Sequence, residues 1–190
     1  MSKIKVLDNV LPPKICTFIT HLLFNRNSWT IARDKPSDQD NIDEFFNRKE
    51  PNDAGFFIKT REEYRDVQVN GQIDYQLNTF AIVAVGVIEH QLQLQNLSIQ
   101  RIFWNYYTRV SKGVFHTDRS KEEGEKLGKE TTSILLNLNN NNGYTEFETG
   151  EKFYSKAGQA LVFPSTIPHV GVGPSDVNYR FNINICIDHN

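Results

Sequence analysis

The segment Asn178-Tyr-Arg-Phe-Asn-Ile-Asn-Ile-Cys-Ile187 alternates strictly between two kinds of side chain. Phe181, Ile183, Ile185 and Ile187 fall on one face, and Arg180, Asn182, Asn184 and Cys186 on the other. A period of two is that of a β-strand, whose successive side chains point to opposite sides of the sheet. A strand that is apolar on one side and carries amides and a guanidinium on the other fits a wall between a hydrophobic core and a binding cavity. Arg180 on the polar face suits a carboxylate, which a guanidinium grips with two parallel hydrogen bonds. Taken alone, the same pattern also fits an edge strand with its polar face in water.

Other period-two segments rich in aromatic and β-branched residues run over Ser98 to Arg109, Thr131 to Asn139, Tyr144 to Glu148 and Gln159 to Phe163. Turn chemistry separates them, at Ser111-Lys-Gly113, Asn139 to Gly143, Lys156-Ala-Gly158 and Gly171-Val-Gly173-Pro174. The first half of the chain reads differently. Ile15, Phe18, Ile19, Leu22 and Leu23 follow Pro12-Pro13 at helical spacing and predict a helix to about Asn25. Ile73, Leu77, Phe80, Ala81, Ala84, Val87 and Ile88 predict a long buried helix from Ile73 to about Leu94. Between them, Arg33 to Glu50 is dense in charge and reads as a solvated loop, or alternatively as a lid over a site. Helices first and short strands later give an α+β fold whose β part is a sandwich or small barrel. The 190 residues suit a single domain, helical over about 1–96 with a β core over about 97–188.

Composition narrows the functional classes. With 21 basic and 23 acidic side chains the formal charge is -2, which argues against non-specific binding to nucleic acid. Cys16 and Cys186 lie at opposite ends of the chain, so a reducing compartment is the simpler reading. No run approaches the ~18 consecutive apolar residues of a membrane span, and the expectation is a soluble, cytoplasmic protein without a membrane partner. Neither G-x-S-x-G nor a phosphate-binding glycine loop occurs. Trp29 and Trp104 read as packing residues, His21 and His90 as helix-surface or core-edge residues, and His189 as a frayed end.

One constellation remains. His116-Thr-Asp118 can present an imidazole and a carboxylate to one side of an extended segment, and His169 follows the central strands and the turn Pro164-Ser-Thr-Ile-Pro168. Two imidazoles and one carboxylate on one face of a metal leave open coordination positions, as in non-haem Fe(II) oxygenases. Arg101, Phe103, Asn105 and Tyr107 share a strand face, which places Asn105 and Tyr107 to line the same cavity. Arg119 reads either as a substrate contact or as a solvated surface residue. The charged segment Lys121 to Glu130 reads as a mobile loop at the mouth of the site.

The ordered string Asn105-Tyr-Tyr107, Phe115-His116-Thr-Asp118, Gly143-Tyr-Thr145-Glu-Phe147, Gly158-Gln-Ala160-Leu-Val-Phe163, His169 and Arg180 resembles the Fe(II)/2-oxoglutarate-dependent dioxygenase superfamily. The nearest branch by these motifs is the prolyl-4-hydroxylase-like one, and the likeness covers about residues 98–188. The opening Val6-Leu-Asp-Asn-Val-Leu-Pro also looks like the start of many such domains. The resemblance implies a double-stranded β-helix (jelly roll) backed by N-terminal helices. It implies Fe(II) on His116, Asp118 and His169, with 2-oxoglutarate and O2 in the open positions. Arg180 would anchor the distal carboxylate of 2-oxoglutarate, and Tyr107 matches the family's cosubstrate-binding tyrosine. The implied reaction hydroxylates a small-molecule or protein substrate and releases succinate and CO2.

This chain departs from the branch in places. Many collagen-type prolyl 4-hydroxylases carry lysine where Arg180 stands, so proline does not carry over as the substrate. The usual Gly-Gly is Asn142-Gly143 here. The pairs Asn105-x-Tyr107 and Arg180-x-Asn182 also look like the nucleic-acid demethylase branch, which has a second arginine where this chain has Cys186. That branch, a non-catalytic jelly-roll binding module and a cupin-type metal enzyme without 2-oxoglutarate are the alternative readings.

Overall fold

The computed structural model describes residues 4–27, 29–33, 53–69, 72–109, 111–119 and 130–190. In chain order its elements are β1 (Lys5–Leu7), α1 (Pro13–Phe24), β2 (Thr30–Arg33), β3 (Asp53–Glu62), β4 (Arg65–Asp66), β5 (Gln68–Val69), β6 (Gln72–Ile73) and α2 (Tyr75–Leu92). They continue with β7 (Ser98–Thr108), β8 (Glu130–Asn137), β9 (Tyr144–Phe147), β10 (Lys152–Tyr154), β11 (Ala160–Pro164), β12 (His169–Val172) and β13 (Tyr179–His189).

Both helices start where their sequences allow. Pro13 occupies the first turn of α1, where its missing N–H would have had no partner, and Cys16, Ile19, Thr20 and Leu23 form the buried stripe. The reading of α2 from Ile73 is two residues early. Asp74 caps the helix, its Oδ1 accepting from the Leu77 N–H at 3.0 Å. The helix ends at Gln93, whose φ of 53° is left-handed.

The strands form a double-stranded β-helix. The larger sheet runs β1-β11-β8-β13-β7-β3-β2, with β4 beside β3, and the smaller runs β10-β9-β12. β13 lies between β8 and β7, so Ile183 faces Leu136 on one side and Trp104 on the other. The apolar face of β13 packs with Ile102, Trp104, Ile134 and Leu136 against the buried stripes of α1 and α2. A smaller cluster of Leu135, Phe147, Leu161 and Phe163 fills part of the space between the two sheets. The helices therefore cover one face of the large sheet and the small sheet covers the other.

The first half of the chain, read as helical, also supplies strands. β3 extends the large sheet by pairing with β7 through Phe56↔Tyr106, Phe57↔Asn105 and Ile58↔Trp104. Its alternation is real, with Ile58 and Thr60 buried on the core side, but Gly55, Lys59 and Arg61 disguise it as polar loop. An unpaired β7 would leave a long edge of open backbone groups, and β3 and β2 cover it. His189 is not frayed: it is 5% exposed, pairs with Glu130 across the sheet and places Nε2 2.9 Å from Thr132 Oγ1. The loop and lid readings of 33–50 and 121–130 fall almost wholly on residues outside those described. Among the described residues, no helix is long and apolar enough to cross a membrane.

Ile183→Ala removes a fully buried side chain from the centre of this packing and is expected to lower stability by about 2–5 kcal/mol in a denaturant titration. Ile82→Ala, on the half-exposed outer face of α2, is expected to stay within about 0.5 kcal/mol. Both thiols are buried. Burial pushes Cys16 up to about 11, and burial with Asp118 nearby pushes Cys186 up to about 12. Because the thiolate is the reactive form, neither should react with a thiol reagent at about pH 8 until the protein is unfolded, when both should.

Candidate metal centre

Between the sheets lies a cavity of about 240 Å³, lined by β3, β7, β8, β9, β12, β13 and the segment 111–119. The segment carrying His116 runs antiparallel to β12. The His116 N–H donates to the His169 carbonyl and the His169 N–H to the His116 carbonyl, each at 3.0 Å. Residues that exchange both hydrogen bonds put their side chains on the same face, so the two imidazoles stand together with ring centroids 4.7 Å apart. Two residues on, the Asp118 N–H donates to the Ser165 carbonyl at 3.0 Å and turns the carboxylate into the same corner. The ligand atoms of His116, Asp118 and His169 all lie within 4.8 Å of one another.

The ring tautomers follow from the backbone. Each histidine places Nδ1 3.0 Å from the carbonyl two residues before it, Val114 for His116 and Ile167 for His169. With the proton on Nδ1, each neutral ring presents the Nε2 lone pair to the corner. Burial lowers the His169 pKa against a partial opposing pull from Asp118, which keeps that ring neutral near pH 7. Asp118 has a side chain only 3% exposed. Its Oδ1 accepts from Arg101 Nη2 in a short ion pair and from Asn184 Nδ2 at 3.1 Å, and its Oδ2 accepts from Ser133 Oγ at 2.5 Å. Burial raises its carboxyl pKa, but Arg101, His169 and Ser133 together hold it below the ordinary value. Two nitrogens and one carboxylate oxygen, gathered on one side and open to the cavity on the other, fit a divalent transition metal.

Arg180 is fully buried. Its Nη1 donates to the Tyr144 carbonyl at 2.6 Å and the Val172 carbonyl at 3.0 Å, and its Nη2 donates to Thr145 Oγ1 at 2.9 Å. The guanidinium carbon lies 5.2 Å from the centre of the Tyr107 ring. Burial lowers its pKa to about 10, so the group stays charged at neutral pH, yet every acceptor it meets among the described residues is neutral. Arg180 Nε, Asn182 Nδ2 and Asn137 Nδ2 are buried without a hydrogen-bond partner. Asn137, Asn182 and Asn105 form one cross-strand row over β8, β13 and β7, with Asn105 Nδ2 donating to Asn182 Oδ1 at 2.9 Å. A cation among donors that lack acceptors fits an acceptor-only anion such as a carboxylate.

Tyr107 faces the cavity and Tyr106 does not. Tyr107 packs so tightly on Gly171 that a Cβ there would lie 2.6 Å from the phenol oxygen. Burial raises the Tyr107 pKa against the opposing pull of Arg180, so the phenol stays protonated and able to donate. Tyr106 instead packs against Trp29, Phe56 and Phe181.

Of the seven residues singled out in the sequence, five line this cavity: His116, Asp118 and His169 at one corner, and Asn105 and Tyr107 on the β7 wall. Arg180 and Asn182, on β13, do not line it but contact residues that do, Arg180 through Thr145 and Tyr107 and Asn182 through Asn105. Sequence reasoning missed Arg101, Ser133 and Asn184, which hold Asp118, and Phe57, which stacks on Phe103 at 5.2 Å and 15° at the cavity wall. Arg101 was within reach, since it shares the alternation that marked Asn105 and Tyr107. Arg119 is neither of the things its sequence allows. It is buried, pairs with Asp188 at 3.4 Å and does not line the cavity.

No family model matches the sequence, and no curated protein matches it either. The fold is nonetheless shared. The chain is similar to the viral collagen prolyl hydroxylase of Paramecium Bursaria Chlorella virus-1 in its 2-oxoglutarate complex, with 12% identity over 98% of this chain and 96% of that one and a TM-score of 0.59. It is similar to an oxidoreductase of the 2-oxoglutarate–Fe(II) oxygenase family from Burkholderia pseudomallei, with 12% identity over 98% and 84% of the two chains and a TM-score of 0.63. It is also similar to HygX from Streptomyces hygroscopicus with nickel and 2-oxoglutarate bound, with 9% identity over 98% and 83% and a TM-score of 0.60. The chain has the double-stranded β-helix fold of the 2-oxoglutarate- and Fe(II)-dependent oxygenases, with two histidines and an aspartate gathered on its cavity side.

Proposed function

We propose that residues 1–190 form one oxygenase domain that uses Fe(II), 2-oxoglutarate and O2 to hydroxylate a small-molecule or protein substrate, releasing succinate and CO2. The observation that carries this reading is the pairing, in one fold, of an N,N,O ligand set with a buried guanidinium whose acceptors among the described residues are all neutral. In this reading Nε2 of His116, Nε2 of His169 and a carboxylate oxygen of Asp118 hold the metal. When bound, the iron supplies the oxidation chemistry, and the protein positions the reactants and shields them. Arg180 anchors the distal carboxylate of 2-oxoglutarate, and its partnerless Nε and the amide of Asn182 supply donors aimed at that group. Tyr107 and Asn105 complete the wall. Phe57 and Phe103 form an aromatic wall that keeps water from the substrate side. Two free, buried thiols suit a cytoplasmic, reducing setting.

The test is an anaerobic titration of Fe(II)-loaded protein with 2-oxoglutarate, following the visible metal-to-ligand charge-transfer band of the chelate. The parent should develop the band and His116→Ala should lose it with its metal. Arg180→Ala should raise the 2-oxoglutarate requirement by about 100-fold while leaving the metal requirement within about twofold. Metal binding without a band would favour a binding module over an oxygenase. Equal losses of metal and 2-oxoglutarate affinity in Arg180→Ala would remove the anchoring role from that residue.

A further inference from the structure

Arg101 lines the cavity, and its position differs in kind from that of Arg180. Its guanidinium binds the metal-site carboxylate directly, through Nη2 to Asp118 Oδ1, and rests 4.6 Å from the centre of the Phe103 ring. Nη2 also reaches Asn184 Oδ1 at 3.4 Å, while Nε is buried without a partner. Asp118 does not need Arg101 to stay in place. Asn184 and Ser133 donate to the same carboxylate, and its backbone N–H is tied to Ser165. What Arg101 adds to these neutral donors is a positive charge in direct contact with the carboxylate.

The charge count at the corner is simple. A histidine ligates a metal as the neutral imidazole, Asp118 contributes one negative charge, and Arg101 cancels it. Arg180 lies among neutral acceptors on β13, while Arg119 is paired with Asp188 and Lys59 with Glu62. A divalent ion thus enters a ligand set whose net charge is zero, where the same three ligands without Arg101 would carry one negative charge. A neighbouring cation repels the metal ion and attracts whatever anion binds to it afterwards.

We propose that Arg101 is a positioning residue that confines Asp118 to ligation through Oδ2 and trades affinity for the divalent metal against affinity of the metal-loaded site for an anionic chelator. The inference rests on the oxygenase reading and adds to it the reason a guanidinium sits on a metal ligand. Its mark is a change of opposite sign in two constants, which a residue that merely props up the fold would not produce.

The experiment measures Mn(II) binding by electron paramagnetic resonance, and 2-oxoglutarate binding to Co(II)-loaded protein by calorimetry, in the parent, Arg101→Gln and Arg101→Lys. Arg101→Gln should bind Mn(II) about tenfold more tightly and 2-oxoglutarate about tenfold more weakly. Arg101→Lys, which keeps the charge, should hold both constants within about threefold of the parent. Weaker Mn(II) binding in Arg101→Gln would overturn the proposal and leave Arg101 a prop for Asp118. If circular dichroism shows that Arg101→Gln does not fold, Arg101→Lys decides: constants near the parent's uphold the charge account, and a joint loss of metal and 2-oxoglutarate affinity overturns it. A parent that binds no metal or no 2-oxoglutarate would instead sink the oxygenase reading and this proposal with it.

Discussion

The ladder that holds β13 between β7 and β8 is the interaction on which the rest of the molecule depends. It runs from Tyr179 to Asp188 on one side and from Asn182 to His189 on the other. Because the strand is paired on both edges, its two faces must go to two different places. One closes the core against the helices; the other forms part of the wall of a polar cavity. The alternation that marks this strand in the sequence is the physical requirement of a central strand with unlike neighbours above and below it.

The metal corner depends on a much smaller device. Two backbone hydrogen bonds fix His116 opposite His169, and two more bring a carbonyl to each ring's Nδ1. The geometry of the ligands is thereby set by main chain, and side-chain chemistry enters mostly through Asp118. That carboxylate is held by Arg101, Asn184 and Ser133 from three adjacent strands of the large sheet, so the two sheets meet electrostatically where the metal would bind. The cost of burying so many polar groups is offset by their mutual pairing, and three of the atoms left unpaired, Arg180 Nε and the amide nitrogens of Asn137 and Asn182, belong to neighbouring residues of β8 and β13.

The sequence made part of this legible. Strict alternation located β7, β8 and β13; the spacing of His116 and Asp118 alone was a weak signal, and Arg180 together with the family resemblance joined them to His169. Arg180 stood out because a guanidinium on the polar face of a half-apolar strand demands a reason. β3 stayed hidden because Gly55, Lys59 and Arg61 interrupt its apolar residues and give it the composition of a loop, and what makes it a strand is its pairing with β7. Arg101 was hidden for another cause. Its function lies in what it touches across the fold, and neither Ser133 nor Asn184 lies near it in sequence. Contacts between strands far apart in the chain are what periodicity cannot report.

The two faces of β13 also bear on how such a protein can change. Ile183 and its neighbours answer to the packed helices, while Asn182 and Asn184 answer to Asn105 and to the Asp118 corner. Phe57 and Lys59 extend the same separation into β3, whose Phe56, Ile58 and Thr60 face the core side. A lineage built on this plan is free to explore new reactants by altering the inward-facing positions of an otherwise unaltered frame. A shape shared with structural neighbours at 8–14% identity is the divergence such a separation permits.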